Sequence, residues 1–174
     1  MSSATPRPVR DAVDQAEDRR LRRVARRRWN VFLLTAVATF VADQVAKLLV
    51  RATMDPGDHI AIFPGFAIVR ARNEGIAFGL FPGNQNVVAV LTLVALGLIA
   101  MVLARLAARN QAVAFGGGLL IGGSVGNFVD RLIHGGVTDF LDPVAFPAFN
   151  IADMGIVIGA AILALGLLRV GESP

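Results

Sequence analysis

Two aspartates, Asp139 and Asp153, stand at the ends of apolar segments in a chain with few charges elsewhere. Asp153 closes Phe149-Asn150-Ile151-Ala152-Asp153 and opens a run that stays uncharged from Met154 to Leu168. Asp139 lies in Val137-Thr138-Asp139-Phe140, just after another such run. A carboxylate at membrane depth is costly unless it is paired or wetted, so each is a candidate functional group. Two carboxylates brought close together cannot both ionise easily. One pKa rises and the other falls, and the pair then offers an acid and a base at one pH. Such a pair can activate a water and protonate the amine leaving a peptide bond. The bland alternative is that both residues simply end helices in the headgroup zone.

Other polar residues fall near the same level. Asn127 and Asn150 could orient a carboxylate or a substrate carbonyl, or could join helices by hydrogen bonds. Asp130 is followed by Arg131, which favours its ionised form and suits it to an orienting or structural task. Asp142 precedes Pro143 and reads as a turn residue. Asp43 and Lys47, four apart, share a helix face. They make either a buried ion pair or a grip on a polar substrate group. Gly122-Gly123-Ser124-Val125-Gly126 matches the G-x-S-x-G pattern, which would make Ser124 a nucleophile and His134 its base in an intramembrane serine protease. That elbow needs a strand-turn-helix setting, whereas glycines in an apolar helix mostly permit close packing.

The elements that must position these groups follow from composition. Of 174 residues, 55% are hydrophobic and only 17% charged, with a mean hydropathy of +0.61. The chain has no cysteine and only two histidines, His59 and His134, so no metal site or cofactor is expected. The net charge of +4 is a tail effect. Residues 1–28 hold nine arginines against four acids, and the remainder is slightly acidic. A basic pI therefore does not imply a nucleic-acid partner. Arg19, Arg20, Arg22, Arg23, Arg26, Arg27 and Arg28 read as a topology signal that also touches anionic lipid.

Apolar blocks at about 29–50, 87–104, 112–129 and 151–168 predict an all-α membrane protein with four transmembrane helices. The tail, Arg105, Arg109 and Arg169 then share the cytoplasmic side, and both termini lie there. Residues 1–28 form a basic cytoplasmic tail, expected to be disordered to about residue 18 and, from about Asp14, able to form a basic helix on the inner membrane surface, and 29–170 form the membrane domain. Two segments face outward, about 51–86 and 131–149. In the first, Ile60–Phe63 and Phe66–Arg72 flank Pro64-Gly65 and predict a small extracytoplasmic β-sheet, with Phe66, Ile68, Arg70 and Arg72 on one face. A non-enzymatic transporter or scaffold using Asp43, Lys47 and Asp153 for ions is a further possibility, but the chain shows no inverted repeat.

Five motifs now occur in order: Asp43-Gln44-Val45-Ala46-Lys47, Asn73-Glu74-Gly75-Ile76-Ala77-Phe78-Gly79, Gly126-Asn127-Phe128-Val129-Asp130-Arg131, Val137-Thr138-Asp139-Phe140 and Phe149-Asn150-Ile151-Ala152-Asp153. On a four-span frame this set closely resembles the bacterial lipoprotein signal peptidase (signal peptidase II) family over about residues 30–170. The resemblance implies an aspartyl endopeptidase of the bacterial cytoplasmic membrane, with its site at the extracytoplasmic face. It would remove signal peptides from diacylglyceryl-modified prolipoproteins by cutting before the lipidated cysteine. Asp139 and Asp153 would be the catalytic dyad. Asp43, Lys47, Asn73, Gly75, Asn127, Asp130, Arg131, Asn150 and Ala152 match the family's supporting positions. Membrane lipid and prolipoproteins are the expected partners, and a monomer is expected. Thr138 departs from the family, standing where a second valine is frequent.

Overall fold

The computed structural model describes residues 7–74, 90, 93–94, 97–99, 101, 103, 110–143 and 145–171. The apolar run at 87–104 and Gly75 fall largely or wholly outside them. The described elements are three helices and three strands: α1 (Arg7–Thr53), β1 (His59–Phe63), β2 (Phe66–Asn73), α2 (Gln111–His134), β3 (Val137–Pro143) and α3 (Ile151–Gly171).

Helix α1 corrects the expected disorder before residue 18 and carries the helix expected from about Asp14 back to Arg7. Residues 7–18 are helical, and the helix runs unbroken through Trp29 to Thr53. No glycine or proline interrupts it after Pro8, which sits in the first turn where its missing N–H is harmless. Asp18 and Arg22 are spaced to support it one turn apart. At ~1.5 Å per residue the helix rises roughly 70 Å, more than twice the ~30 Å of a bilayer's hydrocarbon core. Its charged N-terminal half must therefore stand outside the apolar layer.

Among the described residues two helices, α1 in its C-terminal half and α2, are long and apolar enough to cross a membrane, and Ile151–Gly166 of α3 is a shorter apolar helix. Their outer faces carry Leu33, Leu34, Val37, Val41, Leu48, Phe115, Val157, Ile158 and Leu165 in exposed positions. An apolar surface of that extent suits lipid rather than water. Inward, α2 packs through small residues. A Cβ on Gly118 would lie 2.6 Å from the Phe32 carbonyl oxygen, and one on Gly122 would strike that of Ala36. On the other face, a Cβ on Gly116 would lie 2.8 Å from Ile162 Cγ2, and one on Gly123 would strike the Ala152 carbonyl oxygen. The glycines thus let α1 and α3 approach α2 at backbone contact, the packing that lipid-embedded helices favour. Ser124 lies inside this helix, not on a strand-to-helix elbow.

Helix α2 has defined ends. Asn110 caps it, its side chain accepting from the Ala112 N–H at 2.8 Å. Gly135 ends it in the left-handed region at φ 68°, its N–H donating to the Arg131 carbonyl. That stop turns the chain into β3, a strand the sequence reading did not anticipate. The sheet is antiparallel in the order β1-β2-β3. Asp142 is thus a strand residue, not a turn residue, and lies 3.7 Å from His59. A small core of Val50, Met54 and Phe140, with Ala46, Ile68, Leu141 and Ile151 against it, seats the sheet on the helix ends.

Candidate active site

Asp139 is the third residue of β3 and Asp153 the third of α3, and local structure brings the two together. Backbone bonds between Leu141 and Phe149 run in both directions, at 2.8 and 2.9 Å, and the Phe140 N–H also donates to the Phe149 carbonyl. The loop after β3 is thereby folded back, which sets Asn150 beside Asp139. Asn150 is also the residue before α3. Its Oδ1 accepts from the Asp153 N–H at 2.9 Å, and Asp153 Oδ2 accepts from the Asn150 N–H at 3.3 Å. This reciprocal arrangement is a capping box with aspartate in the usual glutamate position. The Asn-x-x-Asp spacing therefore fixes the Asp153 carboxylate by helix capping.

Asn150 bridges the two acids. Its Nδ2 donates to Asp139 Oδ1 at 2.6 Å. Asn73, at the end of β2, donates to the other Asp139 oxygen at 3.1 Å. Asn127, from α2, donates to Asp153 Oδ1 at 2.8 Å. Both carboxylates line one cavity of about 430 Å³ with Asn73, Ser124, Asn127 and Arg131. The rest of its wall is apolar, including Val137, Phe146, Phe149, Ile156 and Val157.

Behind the cavity lies a second layer. Lys47 Nζ sits 2.8 Å from Asp43 Oδ2, 3.4 Å from Asp130 Oδ2 and 2.8 Å from Asn127 Oδ1. Lys47, Asp43 and Asp130 are all fully buried, so the pair on α1 is a buried ion pair. Asp43 Oδ1 also accepts from the Ala152 N–H at 2.9 Å, putting an anion at the start of α3. Gly126 leaves room for that carboxylate, since a Cβ there would lie 2.7 Å from Asp43 Oδ2. Asp130 accepts from the Thr138 N–H at 2.9 Å and pairs with Arg51 at 3.1 Å, and Arg51 also donates to Thr138 Oγ1. Asp130 thus holds β3 one residue before Asp139. Sequence reasoning missed Arg51, Thr138 and Gln44, whose Nε2 donates to Asp43 and to the Gly126 carbonyl. Gln44 and Thr138 lie inside motifs that were read for their charged members. Arg51, one helical turn after Lys47, carried the only such signal.

Ser124 touches the cavity, but His134 does not. It borders a different one at the far end of α2, roughly 15 Å along the axis. The Ser124–His134 pairing is therefore excluded.

Asp139 is only 3% exposed. Burial pushes its carboxyl up, the Asp153 charge adds to the rise, and the Asn73 and Asn150 amides pull it back, leaving it near 6 against an ordinary 3.8. Folded Asp139 therefore binds its proton more tightly than the unfolded chain does. Its contribution to stability is full below about pH 4 and is lost as pH rises through about 6. Asp139→Asn cannot ionise, so its melting temperature in detergent should gain on the wild type between pH 4 and 7, by an amount equivalent to ~3 kcal/mol. A difference between the two proteins that stays flat across that range would contradict this environment for Asp139.

Comparison with known proteins settles the kinship. The family model described as signal peptidase (SPase) II matches residues 35–169. The chain belongs to the signal peptidase II family. Among its relatives, the lipoprotein signal peptidase of Gloeobacter violaceus is 41% identical over 144 residues, covering 79% of this chain and 82% of that protein. That of Staphylococcus haemolyticus is 34% identical over 148 residues, covering 82% and 94%. A bacterial membrane enzyme solved in meso at 2.3 Å superposes with a TM-score of 0.73 at 31% identity, covering 82% of this chain and 90% of that one. This member of the signal peptidase II family is accordingly a peptidase and a membrane enzyme.

Proposed function

We propose that Asp139 and Asp153 are the catalytic dyad of an aspartyl endopeptidase that removes signal peptides from prolipoproteins, cutting just before the diacylglyceryl-modified cysteine. The observation that carries this reading is the Asn150 bridge, with both carboxylates on one cavity wall. The pair holds one proton. Asp153, accepting from two amide donors, is the base that takes a proton from water. The water oxygen bonds to the scissile carbonyl carbon. Asp139, whose acid form burial favours, delivers its proton to the departing nitrogen as the C–N bond breaks.

The surroundings suit a substrate that is itself an apolar helix carrying a lipidated residue. Ile156 and Val157 line the cavity, and Val157 is 67% exposed on the outer face of α3. Substrate can therefore enter sideways from lipid. Four spans, with 87–104 as the second, both termini cytoplasmic and the dyad at the extracytoplasmic face, accord with the arginine bias.

The test is cleavage of a diacylglyceryl-modified precursor by the purified chain, with the new N-terminus read by mass spectrometry. The lipidated cysteine should become residue one of the product. Ser124→Ala should keep activity within about threefold of the wild type, since one cavity-wall contact changes by well under the scale of a lost catalytic group. Cleavage elsewhere, or loss of turnover in folded Ser124→Ala, would defeat the proposal.

A further inference from the structure

The β2–β3 layer has two faces, and the dyad uses only one. Along β3, Val137 and Asp139 face the dyad cavity, while Thr138 faces a second cavity of about 300 Å³. Along β2, Asn73 serves the first cavity, and Arg70 and Arg72 serve the second. Arg51 and Pro56 close it from the end of α1, and His134 and Gly136 from the end of α2. Three guanidiniums and an imidazole thus border one concavity at the outer ends of the helices.

Its charges are only partly balanced. Arg51 pairs with Asp130, but Asp130 is shared with Lys47, and Asp43 completes that buried set. Arg72 meets Glu74 at 3.4 Å in a largely exposed pair, which solvent weakens. Arg70 has no acidic partner among the described residues. Its Nη1 donates to the carbonyls of Arg51 and Met54, which holds the guanidinium in place at the end of α1. Arg51 likewise donates through Nη1, to Asp130 and Thr138. The remaining forks of both side chains make no bond among the described residues. Fixed guanidinium forks around a concavity are suited to bidentate recognition of tetrahedral anions.

We propose that this cavity is a binding site for a phosphate group, separated from the dyad by a single sheet layer. The volume lies at the small end of the range for ligand pockets, which fits a headgroup or a free ion. The phosphodiester of an anionic phospholipid and inorganic phosphate share the chemistry. The lipid source rests on the outward placement proposed above, but the anion chemistry does not.

The experiment is calorimetric titration of the delipidated chain in detergent with three probes: inorganic phosphate, short-chain phosphatidylglycerol and short-chain phosphatidylcholine as the zwitterionic control. Wild type is compared with Arg72→Gln and Arg72→Gln/His134→Gln, which alter exposed side chains outside the dyad cavity. Phosphatidylglycerol should bind, and Arg72→Gln should weaken it about tenfold, the scale of one charge-assisted contact. Binding of phosphate as well would show that the ion alone suffices, while binding of phosphatidylglycerol alone would assign the site to a lipid headgroup. Absence of saturable binding by both, or equal affinity in wild type and both variants, would overturn the proposal. Binding is read without turnover, so a failure of the peptidase reading would show separately.

Discussion

Asp139→Asn and Asp153→Asn should each lower kcat for prolipoprotein cleavage by roughly 10²–10⁴-fold, the range for loss of a positioned acid or base, with little change in KM. The substitutions are nearly isosteric, so the cavity keeps its shape. At position 139 one oxygen can still accept from Asn150 while the new amide faces Asn73, which loses one hydrogen bond. At position 153 the remaining oxygen can serve either Asn127 or the cap of α3, not both. The shared proton disappears in both variants. Asp153→Asn leaves nothing to take a proton from water, and Asp139→Asn leaves nothing to protonate the departing amine. The double variant should be no worse than the poorer single one, because the two acids act as a unit. The measurement is single-turnover cleavage by detergent-purified variants shown to be folded by a cooperative melting transition. Retention of more than about a tenth of the wild-type rate in either folded variant would remove that residue from the mechanism.

The sequence made the chemistry legible before the geometry. Asp139 and Asp153 stood out because carboxylates are rare beside apolar runs. Their meeting was legible as topology, two acids at the outward ends of successive spans, but not its means, the Leu141–Phe149 bridge, which is backbone pairing without a side-chain signature. The same applies to β3. Val137–Pro143 is short, contains two aspartates and ends in proline, so alternation does not mark it as a strand. The hairpin was legible because Pro64-Gly65 punctuates two β-rich runs, and Gly65 does take a positive φ of 91°. Residues 7 to about 18 were misread from composition: polarity with Pro6 and Pro8 suggested disorder, yet the helix expected from about Asp14 begins at Arg7, with charge of mixed sign and no breaker after Pro8. Lys47 was legible as half of a pair with Asp43, but its contacts with Asp130 and Asn127 on α2 are tertiary and left no pattern in the chain.

Those contacts make Lys47→Met the substitution with the largest expected effect on stability. The side chain is fully buried and is the cation between Asp43 and Asp130. Removing it leaves Asp43 with hydrogen bonds from Gln44 and the Ala152 N–H but no counter-charge among the described residues. Asp130 retains Arg51. Breaking a buried pair in this one-sided way costs about 3–5 kcal/mol, which should appear as a markedly lower melting temperature in detergent and a poor yield. The effect reaches the dyad through Asn127. Lys47 donates to Asn127 Oδ1, and this fixes the amide so that Nδ2 points at Asp153. Without the lysine, the amide can turn its oxygen toward the carboxylate, so any folded Lys47→Met protein should also be slower. Asp43→Asn/Lys47→Met removes the stranded charge while keeping an acceptor for the Ala152 N–H. It should recover at least ~1 kcal/mol relative to Lys47→Met, a coupling typical of residues in one network. Lys47→Met as stable as the wild type, or a double variant no better than the single one, would mean that this buried cluster does not hold the site in place.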